Sequence, residues 1–208
     1  VNEGRKLILV SHIIDHREAL DALVTDCADD YCKLVDILCD TADSGGRVFT
    51  MGNGGSACDA MHFVGELIGS YKIRKHNKFP LSATCLNSDI CTLTAVSNDF
   101  GYNDVYSHQM VSYGVGPKDV VIGFTTSGKS PNVVAALDDA KDRGAFTVCF
   151  TGNSGASYEL AKKCDLSMIV KSTNTPTIQE CHIILIHAIC DQVEKYLVEK
   201  GDECNRTT

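Results

Sequence analysis

The chain has no Cys-x-x-Cys pair, no apolar run long enough to cross a bilayer and no surplus of basic side chains. Each absence removes a class of function. Lys and Arg number 19 against 27 Asp and Glu, a net charge of −8. That balance argues against a nucleic-acid backbone as partner, because gripping a run of phosphates needs clustered cations. A small anionic ligand stays open, since backbone N–H groups supply local positive potential. Without about 18 consecutive apolar residues no membrane-spanning helix is expected, and the amino end shows no signal-peptide pattern. The 11 cysteines are an odd number. Cys85, Cys149 and Cys190 lie inside apolar runs. They are expected as small buried hydrophobes with reduced thiols, in a cytoplasmic setting, not as a disulfide framework. No linker and no low-complexity segment interrupts the sequence.

What is present is ordinary for a globule: 208 residues, 44% hydrophobic and 22% charged. A chain of this length buries roughly 70% of its unfolded surface, enough for one domain with a helical appendage. Residues 1–44 carry a helical pattern, with apolar side chains such as Leu20, Leu23, Val24 and Cys27 at three- and four-residue steps. After Gly45-Gly46 the pattern alternates. Apolar, β-branched runs fall at 47–51, 80–86, 119–125, 145–151 and 165–170, with helical patterns at 56–70, 88–96, 102–113, 131–143 and 157–163. Strands alternating with helices predict an α/β three-layer sandwich, a parallel sheet of five strands between helices. A last helix is expected from about 176 to 199, with Thr175 as its cap and Pro176 in its first turn. Gly201 is expected to end it. The organisation predicted is a helical segment over 1–44, one α/β domain over 45–200 and a disordered tail over 201–208.

Residues 52–56, Gly-Asn-Gly-Gly-Ser, follow the first predicted strand and open a helix. Glycines there let backbone N–H groups approach an anion, and Ser56 adds a hydroxyl. The dinucleotide signature Gly-x-Gly-x-x-Gly is absent. Residues 125–130, Thr-Thr-Ser-Gly-Lys-Ser, form a second such turn, rich in hydroxyls suited to a phosphomonoester. Residues 123–130 also match the nucleoside-triphosphate loop Gly-x4-Gly-Lys-Ser. Gly123 and Phe124 read as strand, however, and no later strand ends in a magnesium-binding Asp. His62 and Glu66 are four apart, hence on one face of a helix. Their neighbours Met61, Phe63, Val64, Leu67 and Ile68 make that helix apolar nearly all round. A half-buried imidazole and carboxylate there point to acid–base or metal chemistry, against a plain surface pair. His187 lies among Ile183, Ile184, Leu185 and Ile186 on the last helix, either as a core histidine or as a partner for His62 and Glu66. His182 faces elsewhere and is expected to be structural. His12, His16, His76 and His108 carry no assignment.

Taken in order, Gly52-Asn53-Gly54-Gly55-Ser56, Asp59-Ala60-Met61-His62, Glu66-Leu67, Ser97-Asn98-Asp99-Phe100-Gly101, Thr126-Ser127-Gly128-x-Ser130 and Ile178-Gln179-Glu180-x-His182 with His187 resemble the phosphoheptose isomerase family, within the sugar-isomerase (SIS) domain group. The resemblance spans residues 20–198. It implies a five-stranded parallel sheet, homotetramers with active sites at subunit interfaces, and conversion of sedoheptulose 7-phosphate to D-glycero-D-manno-heptose 7-phosphate on the route to bacterial surface heptoses. It implies Glu66 as base and His187 as acid, and one zinc per subunit held by His62, Glu66, Gln179 and His187. It also implies substrate contacts from Asn53, Gly54, Gly55, Ser56, Glu66, Asn98, Asp99, Thr125, Thr126, Ser127, Ser130 and Gln179. Two positions depart from the family: Thr177 stands where many members have Arg, and Lys129 where Asn is common. Two other readings remain beside the isomerase. One is a non-catalytic relative that binds a replication initiator; such members are implied to lack the acid–base pair. The other is an isomerase or sensor for a different sugar phosphate.

Overall fold

The computed structural model describes residues 2–74 and 78–207. His76 and Thr208 therefore lie outside the described residues. Two helices open the chain, α1 (Asn2–Asp26) and α2 (Ala28–Asp43). Then follow β1 (Arg47–Gly52), α3 (Gly55–Ile68), β2 (Ser82–Cys85), α4 (Ile90–Phe100) and α5 (Val105–Tyr113). The second half holds β3 (Val120–Thr125), α6 (Pro131–Asp142), β4 (Phe146–Thr151), α7 (Gly155–Lys163), β5 (Leu166–Ile169) and α8 (Thr175–Thr207). The sheet has the order β2-β1-β3-β4-β5, and every pairing is parallel.

Strand periodicity divides the core. Val48, Ile122, Phe124, Val148 and Phe150 face the layer containing α2, α3 and α8. Their neighbours Phe49, Met51, Val121 and Cys149 face the layer of α4, α5, α6 and α7. Successive side chains point to opposite faces of a strand, so both faces of these central strands must be apolar. Gly123 serves this packing. A Cβ there would come within 2.8 Å of Leu137 and Val133, so its absence lets α6 lie close on the sheet.

The structure differs from the sequence expectations at four places. Helix α4 continues to Phe100, and the chain turns at Gly101, whose φ of 95° suits only glycine. The helix expected over 102–113 is broken into a 3-10 turn, Tyr102–Asp104, followed by α5. Thr175 is the first helical residue of α8, not its cap. Gly201 does not end α8, which runs on to Thr207 where a disordered tail was expected. Glycine in a helix costs about 1 kcal/mol relative to alanine. Here Gly201 is buried and Asn205 caps its carbonyl at 2.8 Å.

The cysteine expectation holds in part. Cys27, Cys39, Cys85, Cys149, Cys181 and Cys190 are buried, whereas Cys32, Cys58 and Cys91 are exposed. Desolvation pushes the Cys39 and Cys181 thiols up to about 11, which keeps them protonated and inert.

Candidate active site

Loops after β1, β3 and β4 meet at the carboxyl edge of the sheet, where ligands bind in open α/β folds. The first loop is tightly constrained. A Cβ on Gly52 would sit 2.3 Å from the Ser56 carbonyl, and Gly54 has φ 57°. The Asn53 side chain is held by the fold. It exchanges two hydrogen bonds with Asn132, at 2.8 and 3.0 Å, and Tyr102 donates to its Oδ1 at 2.8 Å. Tyr106 donates to the Gly52 carbonyl at 2.5 Å, and Asn87 bridges that carbonyl and the Tyr106 hydroxyl at 2.9 Å each. Burial raises the Tyr106 phenol, so it stays a neutral donor. With the Asn53 amide committed inward and the Ser56 and Ala57 N–H groups donating to the Asn53 and Gly54 carbonyls at 3.1 and 3.0 Å, the loop is left with the N–H groups of Gly54 and Gly55 to offer an anion.

The second loop also depends on glycine. Gly128 has φ 68°, and a Cβ there would strike the Ser157 backbone at 2.5 Å. Thr125 and Ser130 hydroxyls lie 3.0 Å apart, and the Thr126 hydroxyl is 3.4 Å from that of Thr175 at the start of α8. Ser154, from the third loop, donates to the Ser127 carbonyl at 2.8 Å. Gly123 and Phe124 are strand residues, paired in register with Met51 and Gly52 on one side and Cys149 and Phe150 on the other. This is the strand placement expected for them, and it speaks against a nucleotide loop over 123–130.

Helices α3 and α8 run side by side in the same direction, and their polar residues meet in steps. Gln179 approaches Ser56 at 3.5 Å, His182 approaches Asp59 at 3.7 Å, and His187 approaches His62 at 3.2 Å. At the first step the Gln179 amide lies over Gly55, where a Cβ would fall 2.5 Å from it and make the amide shift. His182 is fully buried, edge-on to Phe124 and Phe150. It therefore faces α3 as Gln179 and His187 do, not elsewhere as expected, and neither of its ring nitrogens has a hydrogen-bond partner among the described residues.

At the third step His62, Glu66 and His187 bring ligand atoms within 4.8 Å of one another. His62 Nε2 lies 3.1 Å from Glu66 and 3.2 Å from His187 Nε2. One ring nitrogen bears at most one proton, so it cannot make a full hydrogen bond to both. Three lone-pair groups converging in this way fit a divalent cation, and two imidazoles with a carboxylate are an ordinary zinc donor set. Gln179 stands apart from the three. It lies eight residues, roughly 12 Å along the helix axis, before His187, with its amide against the first loop.

Asn98 and Asp99 lie exposed near the end of α4, hydrogen-bonded to each other at 2.9 Å. Tyr102, just beyond, links that end to Asn53. Sequence reasoning missed Asn87, Tyr102, Tyr106 and Asn132, which lock the first loop. Tyr106 follows Tyr102 by four residues, which was a readable signal. Asn132 is 79 residues from its partner, and no local pattern announces it. His12 and His16, which carry no assignment from sequence, both approach the Glu180 carboxylate at 3.0 Å.

A profile of the SIS domain family matches residues 13–152. The phosphoheptose isomerase of Helicobacter pylori (strain Shi470) is 38% identical over 194 residues, covering 93% of this chain and 98% of its own. That of Citrifermentans bemidjiense is 40% identical over 186 residues, 89% of this chain and 94% of its own. The solved phosphoheptose isomerase of Neisseria gonorrhoeae superposes with a TM-score of 0.82 at 30% identity, over 94% of this chain and 100% of that one. With this sheet order, this pair of glycine loops and these relatives, the chain belongs to the phosphoheptose isomerases of the SIS domain family.

Proposed function

We propose that the chain interconverts sedoheptulose 7-phosphate and D-glycero-D-manno-heptose 7-phosphate by moving one proton between C1 and C2 through an enediolate. The observation that carries this reading is the meeting of Glu66 and His187, 121 positions apart in the sequence, on one side of a sheet edge that also bears two anion loops. The 7-phosphate is held by the first-turn N–H groups at Gly54 and Gly55 and by the hydroxyls of Ser56, Thr125, Thr126, Ser127 and Ser130. Asn53 shapes that loop through its amide network. Asn98, Asp99 and Gln179 contact the sugar. Remote binding of the phosphate orients the carbonyl end.

In the direction of aldose formation, the Glu66 carboxylate takes the proton from C1 and returns it to C2. His187 donates a proton to the O2 oxygen as the enediolate forms, and recovers one from O1 as the aldehyde closes. Positioned proton transfer of this kind contributes roughly 10²–10⁴-fold. His62, Glu66 and His187 would hold one zinc per subunit, with Gln179 as the fourth group if its amide turns towards them. When bound, the ion would supply electrostatic stabilisation for negative charge developing on the substrate oxygens.

The finer setting belongs to the same proposal. Leu7, Ile8, Leu9 and Ile13 of α1 are at least half exposed. That supports the 1–44 segment as an assembly surface of a homotetramer. Among the described residues no helix is long and apolar enough to cross a membrane. A cytoplasmic enzyme supplying heptose for lipopolysaccharide or capsule fits a phosphorylated substrate and cysteines that form no disulfide among the described residues. The scaffold alternative required loss of the acid–base pair, and here both members are present. The test is incubation with sedoheptulose 7-phosphate: an aldose 7-phosphate is expected, and turnover of other ketose phosphates in its place would overturn the substrate assignment.

A further inference from the structure

His187 is in contact with two other rings. The Tyr71 ring stacks on its imidazole, with centroids 5.5 Å apart and planes at 27°. His62 meets the same imidazole edge-on, at 5.0 Å and 72°. Tyr71 belongs to the loop that leaves α3, and that loop has an unusual anchor. Glu194 of α8 is 2% exposed, and its carboxylate accepts the backbone N–H groups of Tyr71, Lys72 and Ile73 at 2.7, 2.7 and 2.9 Å. Ser70 closes the turn by donating to the Ile73 carbonyl at 2.8 Å. Glu194 follows His187 by seven residues, two turns along one face of the helix. One face of α8 therefore carries both His187 and the carboxylate that seats the ring packed against it. A buried carboxylate is costly unless it is fully hydrogen-bonded, and charge-assisted bonds to three consecutive N–H groups meet that condition and fix the loop.

We propose that Tyr71 and Glu194 are positioning residues for His187: Glu194 seats the 71–73 turn, and the turn holds the Tyr71 ring where it fixes the imidazole plane facing His62 and Glu66. The inference rests on the isomerase reading for its kinetic consequence, but not for its structural one. Groups behind a metal-ligating histidine typically change affinity or activity 10–100-fold when removed. The ring, rather than the hydroxyl, makes the contact with His187, so a phenylalanine should serve.

The experiment compares Tyr71→Ala, Tyr71→Phe and Glu194→Gln in the full chain, with thermal unfolding to confirm folding. Two readouts are taken: kcat and KM for sedoheptulose 7-phosphate, and zinc affinity by chelator competition. Tyr71→Ala is expected to lower kcat and zinc affinity about tenfold each, with KM within twofold. Tyr71→Phe should restore both. Glu194→Gln should act in the same direction, and the double variant Tyr71→Ala/Glu194→Gln should lose little more than the worse single one, because both act through one ring. Unchanged kcat and zinc affinity in Tyr71→Ala would overturn the proposal. So would additive losses in the double variant, or an equal loss in Tyr71→Phe. If the wild-type chain does not turn over the substrate at all, the isomerase reading fails by itself, and the zinc measurements still decide the role of Tyr71.

Discussion

The seam between α3 and α8 has two ends of opposite character. At the loop end polar groups are paired within the fold: Asn53 with Asn132 and Tyr102, Gly52 with Asn87 and Tyr106. At the other end His62, Glu66 and His187 crowd one another, and one nitrogen faces two partners it cannot both satisfy. Paired groups make a stiff cradle that binds without reacting. Groups left with competing partners are those that can accept a cation or a proton. A sugar phosphate long enough to span the seam would be gripped at one end and reacted at the other.

Breaking the crowded end should have the larger effect. Chelation is expected to remove activity, and zinc to restore it, because a bound cation contributes several kcal/mol to stabilising charge on oxygen. An assay of metal-stripped protein before and after zinc addition checks this; full activity without metal would take the ion out of the reaction. Perturbing the cradle should do less and do it differently. Ser127→Ala removes one neutral hydroxyl from the second loop and is expected to raise KM about fivefold, the equivalent of about 1 kcal/mol. The value of kcat should hardly change, as for a contact made equally to substrate and transition state. A fall in kcat with unchanged KM would mean that the two ends are not separate in function.

Much of this architecture was legible in the sequence. Alternation of β-branched runs with helical patterns located all five strands, and the glycine turns marked the edge where they end. The pairing of His62 with Glu66 followed from helical spacing, because both lie on one element. Other features were hidden for physical reasons. The carboxylate of Glu194 finds its N–H donors more than 120 residues away, and Tyr71 sits in an irregular turn with no periodicity to announce it. Gly201 reads as a stop because glycine is usual after a helix end. Burial kept the helix going there. In α1, the run Leu7-Ile8-Leu9-Val10 is too dense for one face of a helix to bury. Its exposure in a single chain could not be read from spacing alone.

The central claim is that Glu66 moves a proton between C1 and C2 of the sugar, on a site that grips the phosphate elsewhere. The most direct measurement is hydrogen exchange at C1 and C2 of sedoheptulose 7-phosphate in heavy water, for the wild-type chain and for Glu66→Gln, together with the affinity of each for the phosphate ester. The account predicts rapid exchange in the wild type and a loss of roughly 10²–10⁴-fold in the variant, with ester binding retained. Exchange at the wild-type rate in Glu66→Gln would contradict it.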